Sequence, residues 1–208
     1  MTILRYMNIL LASNNEHKKA EFSRLLVGHT IALPADLGLS FDFREDKETF
    51  TENALGKAMA LATVAPPSWA VLADDSGLCV DALDGEPGVR TARYGQAATG
   101  RLLGSSERNQ FLLRNLSSIT EVEERSAQFV CALALIINPH RIFTVCEEAV
   151  GYIAFESAGV GGFGYDPIFI VKEVGQTMAS IADEEKDRYS HRGIATRRMI
   201  KILEDLRV

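Results

Sequence analysis

Short apolar runs alternate with helix-type patterns along the first third of this 208-residue chain. Residues 8–12 are a short apolar run followed by polar turn formers, and residues 16–26 carry apolar side chains at helical spacing. A second helix is predicted over residues 49–64, because a Thr-x-x-Glu capping box opens it and a Pro-Pro pair follows it. The apolar run of residues 69–73 comes next, and alternation of this kind is typical of an α/β fold.

The second half of the chain adds strands that are predicted to make the sheet mixed. Residues 129–137 are nearly all apolar, which is the pattern of a strand covered on both faces. An Asn-Pro-His turn follows, and residues 142–149 return as a strand that we expect to be antiparallel to the first. Shorter extended pieces are predicted at residues 78–83 and 168–171, and an amphipathic helix closes the chain. We therefore predict one domain over residues 1–208, with a mixed sheet flanked by helices.

Two adjacent carboxylates stand where the predicted strand of residues 69–73 ends, in the run Asp74-Asp75-Ser76-Gly. Carboxylates at the end of a buried strand lie at the mouth of an α/β sheet, where ligands usually bind. The competing interpretation is a simple turn, which Asp opens often. Because neighbouring side chains on a strand point to opposite faces, we expect Asp75, beside Ser76, to meet a ligand. Asp74 is expected to orient a neighbour or to bind backbone.

The composition and net charge of the chain limit the kinds of partner that it is expected to bind. A formal net charge of −6 argues against a broad basic surface for nucleic acid, so any phosphate must be met by locally placed groups. Three cysteines without metal-type spacing indicate reduced thiols and a cytoplasmic protein. No apolar run approaches the ~18 residues of a membrane helix, and we see no signal-peptide cleavage site. We predict neither a membrane nor a nucleic-acid partner.

Polar groups that can bind a metal–triphosphate complex occur near predicted strand ends and helix starts. A polar turn precedes the helix that carries Lys18 in its first turn, which is a phosphate-holding arrangement of helix N–H groups and one cation. An exposed lysine on a solvated helix is the competing interpretation. Mg²⁺ takes one or two carboxylates together with substrate phosphates, so a site sparse in acids suits it. The candidate residues in this set are Ser13, Asn15, Lys18, Glu45, Asp75 and Ser76.

A glycine-aromatic stretch at residues 159–167 is the second unusual segment. Its backbone can lie close to a ligand, whereas the competing interpretation is a flexible linker. Phe163 offers a face on which a base can stack, worth ~1–3 kcal/mol. Lys186 and Arg192 can donate hydrogen bonds to the carbonyl oxygens of a base. An amino group at the same position would bring two hydrogen-bond donors together, which is unfavourable. That asymmetry favours keto purines over adenine, although a structural role for the His191-Arg192 pair is the competing interpretation.

Taken in order, these segments resemble the inosine/xanthosine triphosphate pyrophosphatase family along the whole chain. A single match could arise by chance, but the ordered set is specific. The matching runs are Ser-Asn-Asn-Glu-His-Lys (13–18), Thr-Phe-Thr-Glu-Asn-Ala (49–54), Ala-Asp-Asp-Ser-Gly-Leu (73–78), Pro-Gly-Val-Arg-Thr-Ala-Arg-Tyr (87–94), Gly-Gly-Phe-Gly-Tyr-Asp-Pro-Ile-Phe (161–169), Glu-Glu-Lys (184–186) and Ser-His-Arg-Gly (190–193).

The resemblance implies an Mg²⁺-dependent hydrolase that converts dITP, ITP or XTP to the monophosphate and pyrophosphate and so removes deaminated purines from the nucleotide pool. It also implies an elongated sheet in two lobes with a central cleft, and a homodimer. Asp75 is implied as catalytic base and metal ligand, with Glu45 as the second metal ligand. The substrate-binding residues it implies are Ser13, Asn14, Asn15, Glu16, His17, Lys18, Ser76, Phe163, Gly164, Tyr165, Asp166, Lys186, His191 and Arg192.

Two departures from the family pattern bear on these roles. The family's first turn usually reads Thr-Gly-Asn or Thr-His-Asn, whereas this chain has Ser-Asn-Asn. The acidic stretch before Thr49 usually has two adjacent acids followed by Gly, whereas this chain has Arg44-Glu45 and then Lys47 at the Gly position. If the first acid is the metal ligand, its role is either lost or passes to Glu45.

Three other functions compete with this interpretation. A related pyrophosphatase for modified pyrimidine triphosphates, of the septum-formation-inhibitor family, has a similar fold. A non-catalytic nucleotide-binding or sensor protein is the alternative from a different class, and Arg44 is the feature that favours it. Asp75 and Lys18 argue for catalysis instead. An aspartyl-phosphate phosphatase fits poorly, because adjacent acids on a strand do not share a face.

Overall fold

A seven-stranded mixed sheet flanked by helices forms the fold, in a computed structural model that describes residues 6–205. The α/β prediction is therefore confirmed. The strand order is β2-β1-β3-β4-β5-β6-β7. The strands are β1 (Asn8–Leu11), β2 (Thr30–Ala32), β3 (Trp69–Val80), β4 (Ser126–Asn138), β5 (Arg141–Ile153), β6 (Phe169–Val171) and β7 (Gln176–Thr177).

Both kinds of strand pairing occur in this sheet. β1 is parallel to β2 and to β3, with Ile9 opposite Ile31 on one side and Ala70 on the other. β6 is antiparallel to both β5 and β7. β4 and β5 are neighbours joined by residues 139 and 140 alone, a link short enough only for an antiparallel hairpin. The predicted hairpin, and with it the mixed sheet, is confirmed.

Six α-helices occur in the described part of the chain. Thr49 caps α2 by accepting a hydrogen bond from the Glu52 backbone N–H at 3.2 Å, as the capping box predicts. None of the helices within residues 6–205 is long and apolar enough to span a bilayer. The helices are α1 (Glu16–Leu25), α2 (Phe50–Ala62), α3 (Gln96–Thr99), α4 (Ser105–Asn115), α5 (Asp183–Tyr189) and α6 (His191–Asp205).

The main correction to the sequence-based elements concerns β3. Turn-forming residues predicted that one strand ends at Asp74 and that another begins at residue 78, but β3 continues without a break from Trp69 to Val80. Asp74 and Asp75 therefore lie inside the strand, and only 2% and 7% of their surfaces are exposed. The prediction was wrong because it used local turn propensity, whereas tertiary charge partners hold both acids in extended backbone.

The chain divides into two compact units. The first contains the residues up to Asp75, Cys131–Glu147 and the residues from Arg192 onward. Its strands carry apolar residues on alternate faces, and each face has its own cluster. One cluster includes Phe22 of α1 and Met199 of α6, while the other includes Ala58 of α2. Small residues on α2 let this helix lie close to the sheet.

The second unit contains Ser76–Val130 and Glu148–His191. Arg125 lies in its interior with 2% of its surface exposed, and burial lowers the pKa of its guanidinium. The guanidinium donates to four carbonyl oxygens and also lies 4.6 Å from the centre of the Phe155 ring. The acceptors are those of Ile153 at 2.9 Å, Leu116 at 3.0 Å, Ile119 at 3.1 Å and Ala154 at 2.8 Å.

Replacing Arg125 with Lys is expected to lower the free energy of unfolding by about 2–4 kcal/mol. An ammonium cannot reproduce the planar fork of donors, so buried carbonyl oxygens lose their partners. Urea unfolding of both variants checks this, with Arg90→Lys as the exposed control in the same unit. Equal stability of the Arg125→Lys and Arg90→Lys variants would show that the planar guanidinium of Arg125 is not needed for the stability of the fold.

Candidate active site

The two acids of β3 (Trp69–Val80) point to opposite faces of the sheet in the first unit. Asp74 shares its face with Leu72, which belongs to the apolar cluster of α1 and α6. Asp75 shares its face with Ala73, which belongs to the cluster of α2. The two carboxylates therefore meet different helices and have different partners.

Asp74 is held by cationic side chains from two helices. Its Oδ2 atom forms an ion pair with Lys18 Nζ at 3.0 Å and accepts a hydrogen bond from Arg192 Nε at 2.8 Å. Arg192 Nη1 also contacts Glu21 Oε2 at 3.2 Å. Burial by itself lowers the pKa of the Arg192 guanidinium, but the charges of Asp74 and Glu21 outweigh burial and raise it. This arrangement keeps Arg192 a cation in a buried ion-pair network.

Asp75 lies in a less compensated environment than Asp74. Its Oδ1 atom is 4.0 Å from Lys57 Nζ, which also pairs with the Glu45 carboxylate. Among the described residues, no hydrogen-bond partner reaches its buried Oδ2 atom. Burial raises the pKa of Asp75 to about 6, against the lowering effect of Lys57 and with a further raising effect of Glu45. A buried carboxylate with an unsatisfied oxygen is a candidate ligand or base.

The polar turn before α1 is built as a helix cap. Asn15 Oδ1 accepts from the backbone N–H groups of His17 at 2.9 Å and Lys18 at 3.3 Å, and Ser13 Oγ accepts from Asn15 N at 3.1 Å. The prediction of free N–H groups at this helix start is therefore wrong for residues 17 and 18, since the Asn15 side chain occupies them. Asn14 and Glu16 lie in the same turn, and Lys18 reaches Asp74.

A second polar cluster lies in the second unit, in the glycine-aromatic stretch. Asp166 Oδ2 accepts from Lys186 Nζ and from the Phe163 backbone N–H, both at 2.8 Å. Lys186 Nζ is also 5.7 Å from the centre of the Phe163 ring. Asp166 and Lys186 are both buried, so this is a desolvated ion pair beside an aromatic ring.

The glycine stretch is a packed loop, and its interpretation as a flexible linker is wrong. A Cβ atom on Gly159 would lie 2.4 Å from the Ala179 carbonyl carbon, so only glycine fits there. The Gly164 carbonyl accepts from Asn109 Nδ2 at 3.1 Å. Tyr165 donates from its hydroxyl to the Thr91 carbonyl at 3.0 Å, and burial raises the pKa of this phenol. Main-chain contacts therefore fix the loop.

His191 and Arg192 are adjacent in the chain but lie in different units. The His191 ring stacks on Phe129, with ring centres 4.6 Å apart and planes 9° apart. Arg192 points to the Asp74 network of the first unit. Ser76 follows Asp75 in β3 and is half-buried. The substrate-binding roles predicted for these three residues stay predictions.

Sequence reasoning missed Lys57 and Glu21. Lys57 lies on α2 at helical spacing with the buried residues Ala54, Ala58 and Leu61, so an apolar stripe carries a charged member. Glu21 lies three residues after Lys18 on α1, on the same helix face. A charge inside an apolar stripe is the signal that could have identified Lys57.

The residues beside Asp75 fit a divalent cation that takes some of its oxygen ligands from outside the protein. No group of three or more His, Cys, Asp or Glu side chains within residues 6–205 is arranged as a metal site, so a complete protein cage is not present there. Mg²⁺ sites commonly use one or two carboxylates and leave the other positions to water and phosphate. Asp75, with its unsatisfied Oδ2 atom, and Glu45 supply such a pair.

Comparisons with known proteins agree with one another. The model of the Ham1 family matches residues 9–202. The chain is 44% identical over 189 residues to a dITP/XTP pyrophosphatase of Treponema denticola, covering 91% of this chain and 94% of that protein. It is 41% identical to the Bacillus subtilis protein of the same name, covering 94% and 96%. The solved Ham1 protein of Staphylococcus aureus superposes with a TM-score of 0.80 at 35% identity, covering 95% of this chain and 98% of that one.

Replacing Asp75 with Asn is expected to stabilise the fold at neutral pH. The pKa of Asp75 is raised from 3.8 to about 6, so its stabilising effect is present below pH 3.8 and is lost as the pH rises through 6. We expect Asp75→Asn to raise the free energy of unfolding by about 1–3 kcal/mol at pH 7.5, and the difference to disappear near pH 4. Urea unfolding across this pH range measures it, with Asp42→Asn as the exposed control. A destabilised Asp75 variant at pH 7.5 would contradict the argument.

Gly162 is expected to be required for the Asp166–Lys186 pair. A Cβ atom at Gly162 would lie 2.0 Å from Asp166 Oδ2 and 2.8 Å from Lys186 Nζ, whereas one at Gly175 meets nothing within 4 Å. Both glycines have positive φ, +69° and +70°, so Gly175→Ala is a matched control for backbone strain. Gly162→Ala should lose about 1–3 kcal/mol more than Gly175→Ala in urea unfolding. Equal losses would show that the pair tolerates the added methyl group.

Proposed function

This chain belongs to the Ham1 family, and we propose on that premise that it hydrolyses dITP, ITP and XTP to the monophosphate and pyrophosphate. The observation that carries the proposal is Asp75, a buried carboxylate with an unsatisfied oxygen. Glu45 and Lys57 lie beside it, which is the set of charges that a metal–triphosphate complex needs. The names of the Treponema and Bacillus relatives support the same reaction.

Asp75 acts in this proposal on the attacking water. Burial raises the pKa of Asp75 to about 6 in the substrate-free protein, so its carboxylate is mostly ionised at neutral pH and can accept a proton. It takes a proton from the water as the water oxygen bonds to phosphorus, and the phosphoanhydride between the α- and β-phosphates breaks. Pyrophosphate leaves with the electron pair of the broken bond.

Cations of the first unit bind the substrate phosphates. Lys18 and Lys57 each carry an ammonium close to the acids of β3, where a triphosphate brings its negative charge. Asp75 and Glu45 would hold Mg²⁺, which when bound neutralises phosphate charge and lowers the pKa of coordinated water. Arg192 contributes by holding Asp74, which in turn holds Lys18.

Base selection is assigned to the second unit's loop and to the residues that follow α5 (Asp183–Tyr189). Phe163 offers a stacking face, and the Lys186 ammonium beside it is a donor suited to a keto oxygen of hypoxanthine or xanthine. Adenine would present an amino group to the same donor. Roles in this pocket for Gly164, Tyr165 and His191 are part of the proposal, while Arg192 keeps its role on Asp74. A cytoplasmic location, expected from the cysteines, and a homodimer, implied by the resemblance, belong to the proposal too.

The sensor alternative depended on Arg44, and the geometry gives it little support. The Arg44 side chain is 89% exposed, and its Nε atom lies 3.6 Å from Asp46 Oδ2. It therefore pairs with an exposed neighbour, while Lys57 is the cation that pairs with Glu45. Catalysis is the function that the cluster supports best.

Incubation with ITP, dITP, XTP or ATP plus Mg²⁺, resolving pyrophosphate from phosphate, tests the function directly. We expect pyrophosphate from the first three substrates, far slower turnover of ATP, and loss of activity when EDTA removes the metal. Asp75→Asn should reduce turnover by about 10²–10⁴-fold while remaining folded. ATP turnover as fast as that of ITP would contradict the proposed base selectivity. Near-normal turnover by the Asp75→Asn variant would contradict the proposed catalytic role of Asp75.

A further inference from the structure

The Lys57 ammonium lies in a set of oxygens of the kind that binds divalent cations. Lys57 Nζ donates to Glu45 Oε1 and, at 2.9 Å, to the backbone carbonyl of Asp74, and Asp75 Oδ1 is 4.0 Å away. Only 9% of its side chain is exposed. Carboxylate and carbonyl oxygens are the ligands that Mg²⁺ and Ca²⁺ take in proteins. Two of these three groups belong to the residues that would hold the catalytic metal.

We propose that Lys57 is a tethered counter-ion, which holds Glu45 and Asp75 together in the substrate-free protein and competes with the metal for them. The inference rests on the proposed function for the identity of the metal-binding residues. In the substrate-free protein, divalent cations bind weakly while Lys57 stays on Glu45, and they bind strongly once that positive charge is removed.

Charge balance in the first unit supports the competition. The Glu45 and Asp75 carboxylates share one cation, Lys57, and these three groups form a cluster on one face of the strand. With Asp75 ionised, the three groups of this cluster carry a formal charge of −1. A divalent cation added beside Lys57 would make the charge +1 in a buried site, which is unfavourable. Without the Lys57 charge the cluster carries −2, which a divalent cation neutralises.

The competition can be relieved by movement of one side chain. Lys57 projects from α2, whose neighbouring residues Ala54, Ala58 and Leu61 are packed in the core, so the helix backbone is fixed. The lysine stem has four flexible carbons and can carry the ammonium from Glu45 to another acceptor. Triphosphate oxygens are such acceptors, and they arrive together with the metal that takes Lys57's place on the acids. Metal and nucleotide binding are therefore coupled through Lys57.

Binding of Mn²⁺ to the nucleotide-free protein, measured by electron paramagnetic resonance at pH 7.5, tests the proposal. Wild type should bind weakly, and Lys57→Met should bind at least about tenfold more tightly, since a unit positive charge close to the ligand oxygens is gone. Methionine keeps the length and the apolar stem of lysine. Lys57→Gln, which can still donate to Glu45 and to the Asp74 carbonyl, is the second variant and should show the same gain.

Two control variants test whether the gain in Mn²⁺ affinity arises at the Lys57–Glu45 pair. Lys47→Met removes an exposed lysine that pairs with Asp46, and it should leave Mn²⁺ affinity unchanged. Lys57→Met combined with Glu45→Gln should lose the gained affinity, because one metal-binding carboxylate is missing. Thermal unfolding of each variant verifies that it is folded.

Three results would overturn the proposal. They are no gain in either Lys57 variant, an equal gain in Lys47→Met, and a gain that survives Glu45→Gln. The assay contains no nucleotide, so its outcome is separate from that of the hydrolysis assay. A gain in Mn²⁺ affinity without ITP hydrolysis would support the counter-ion role of Lys57 and contradict the proposed function. ITP hydrolysis without a gain in Mn²⁺ affinity would support the proposed function and contradict the counter-ion role.

Discussion

The first unit depends on the burial of two adjacent carboxylates in the middle of a strand. Neither Asp74 nor Asp75 can be solvated there, so each face of the sheet must supply positive charge. On one face Lys18 and Arg192 meet this need, and on the other face Lys57 does. Each of the three comes from a different helix. The requirement to compensate two buried acids therefore acts together with apolar packing to set which face of α1, α2 and α6 points at the strand.

The negative charges of the two acids are compensated unequally by their neighbours. This difference indicates a structural role for Asp74 and leaves Asp75 as the candidate for ligand binding. Asp74 has close cationic partners and a thiol contact, with Cys131 Sγ 3.7 Å from its Oδ1 atom. Asp75 has a more distant cation and an oxygen without a hydrogen-bond partner among the described residues. A site that is complete in the free protein has no capacity for a ligand, whereas an incomplete one costs stability and keeps that capacity. Asp75 therefore combines an elevated pKa with a buried oxygen that is not satisfied by the described residues.

Sequence patterns predicted those features that are determined locally or by periodicity. The Thr49 cap, the hairpin between β4 and β5 and the assignment of Asp74 and Asp75 to opposite faces follow from spacing alone. The continuity of β3 could not be predicted, because Asp and Gly favour turns unless distant partners hold them extended. Lys57 escaped prediction for a related reason, since its partner Glu45 lies in a stretch without regular structure.

The two polar clusters also differ in how much they can change when a ligand binds. In the second unit, Gly162 brings main chain so close to Asp166 and Lys186 that the pair has little room to move on that side. Packed backbone of this kind presents the same donors before and after binding, which suits selection among bases that differ in one group. In the first unit the Glu45–Lys57 pair joins two side chains, and a flexible lysine can exchange partners without moving a helix. Under the proposed function, base selection uses a side-chain donor that rigid main chain holds in place, whereas metal and phosphate binding use side-chain charges that can be redistributed.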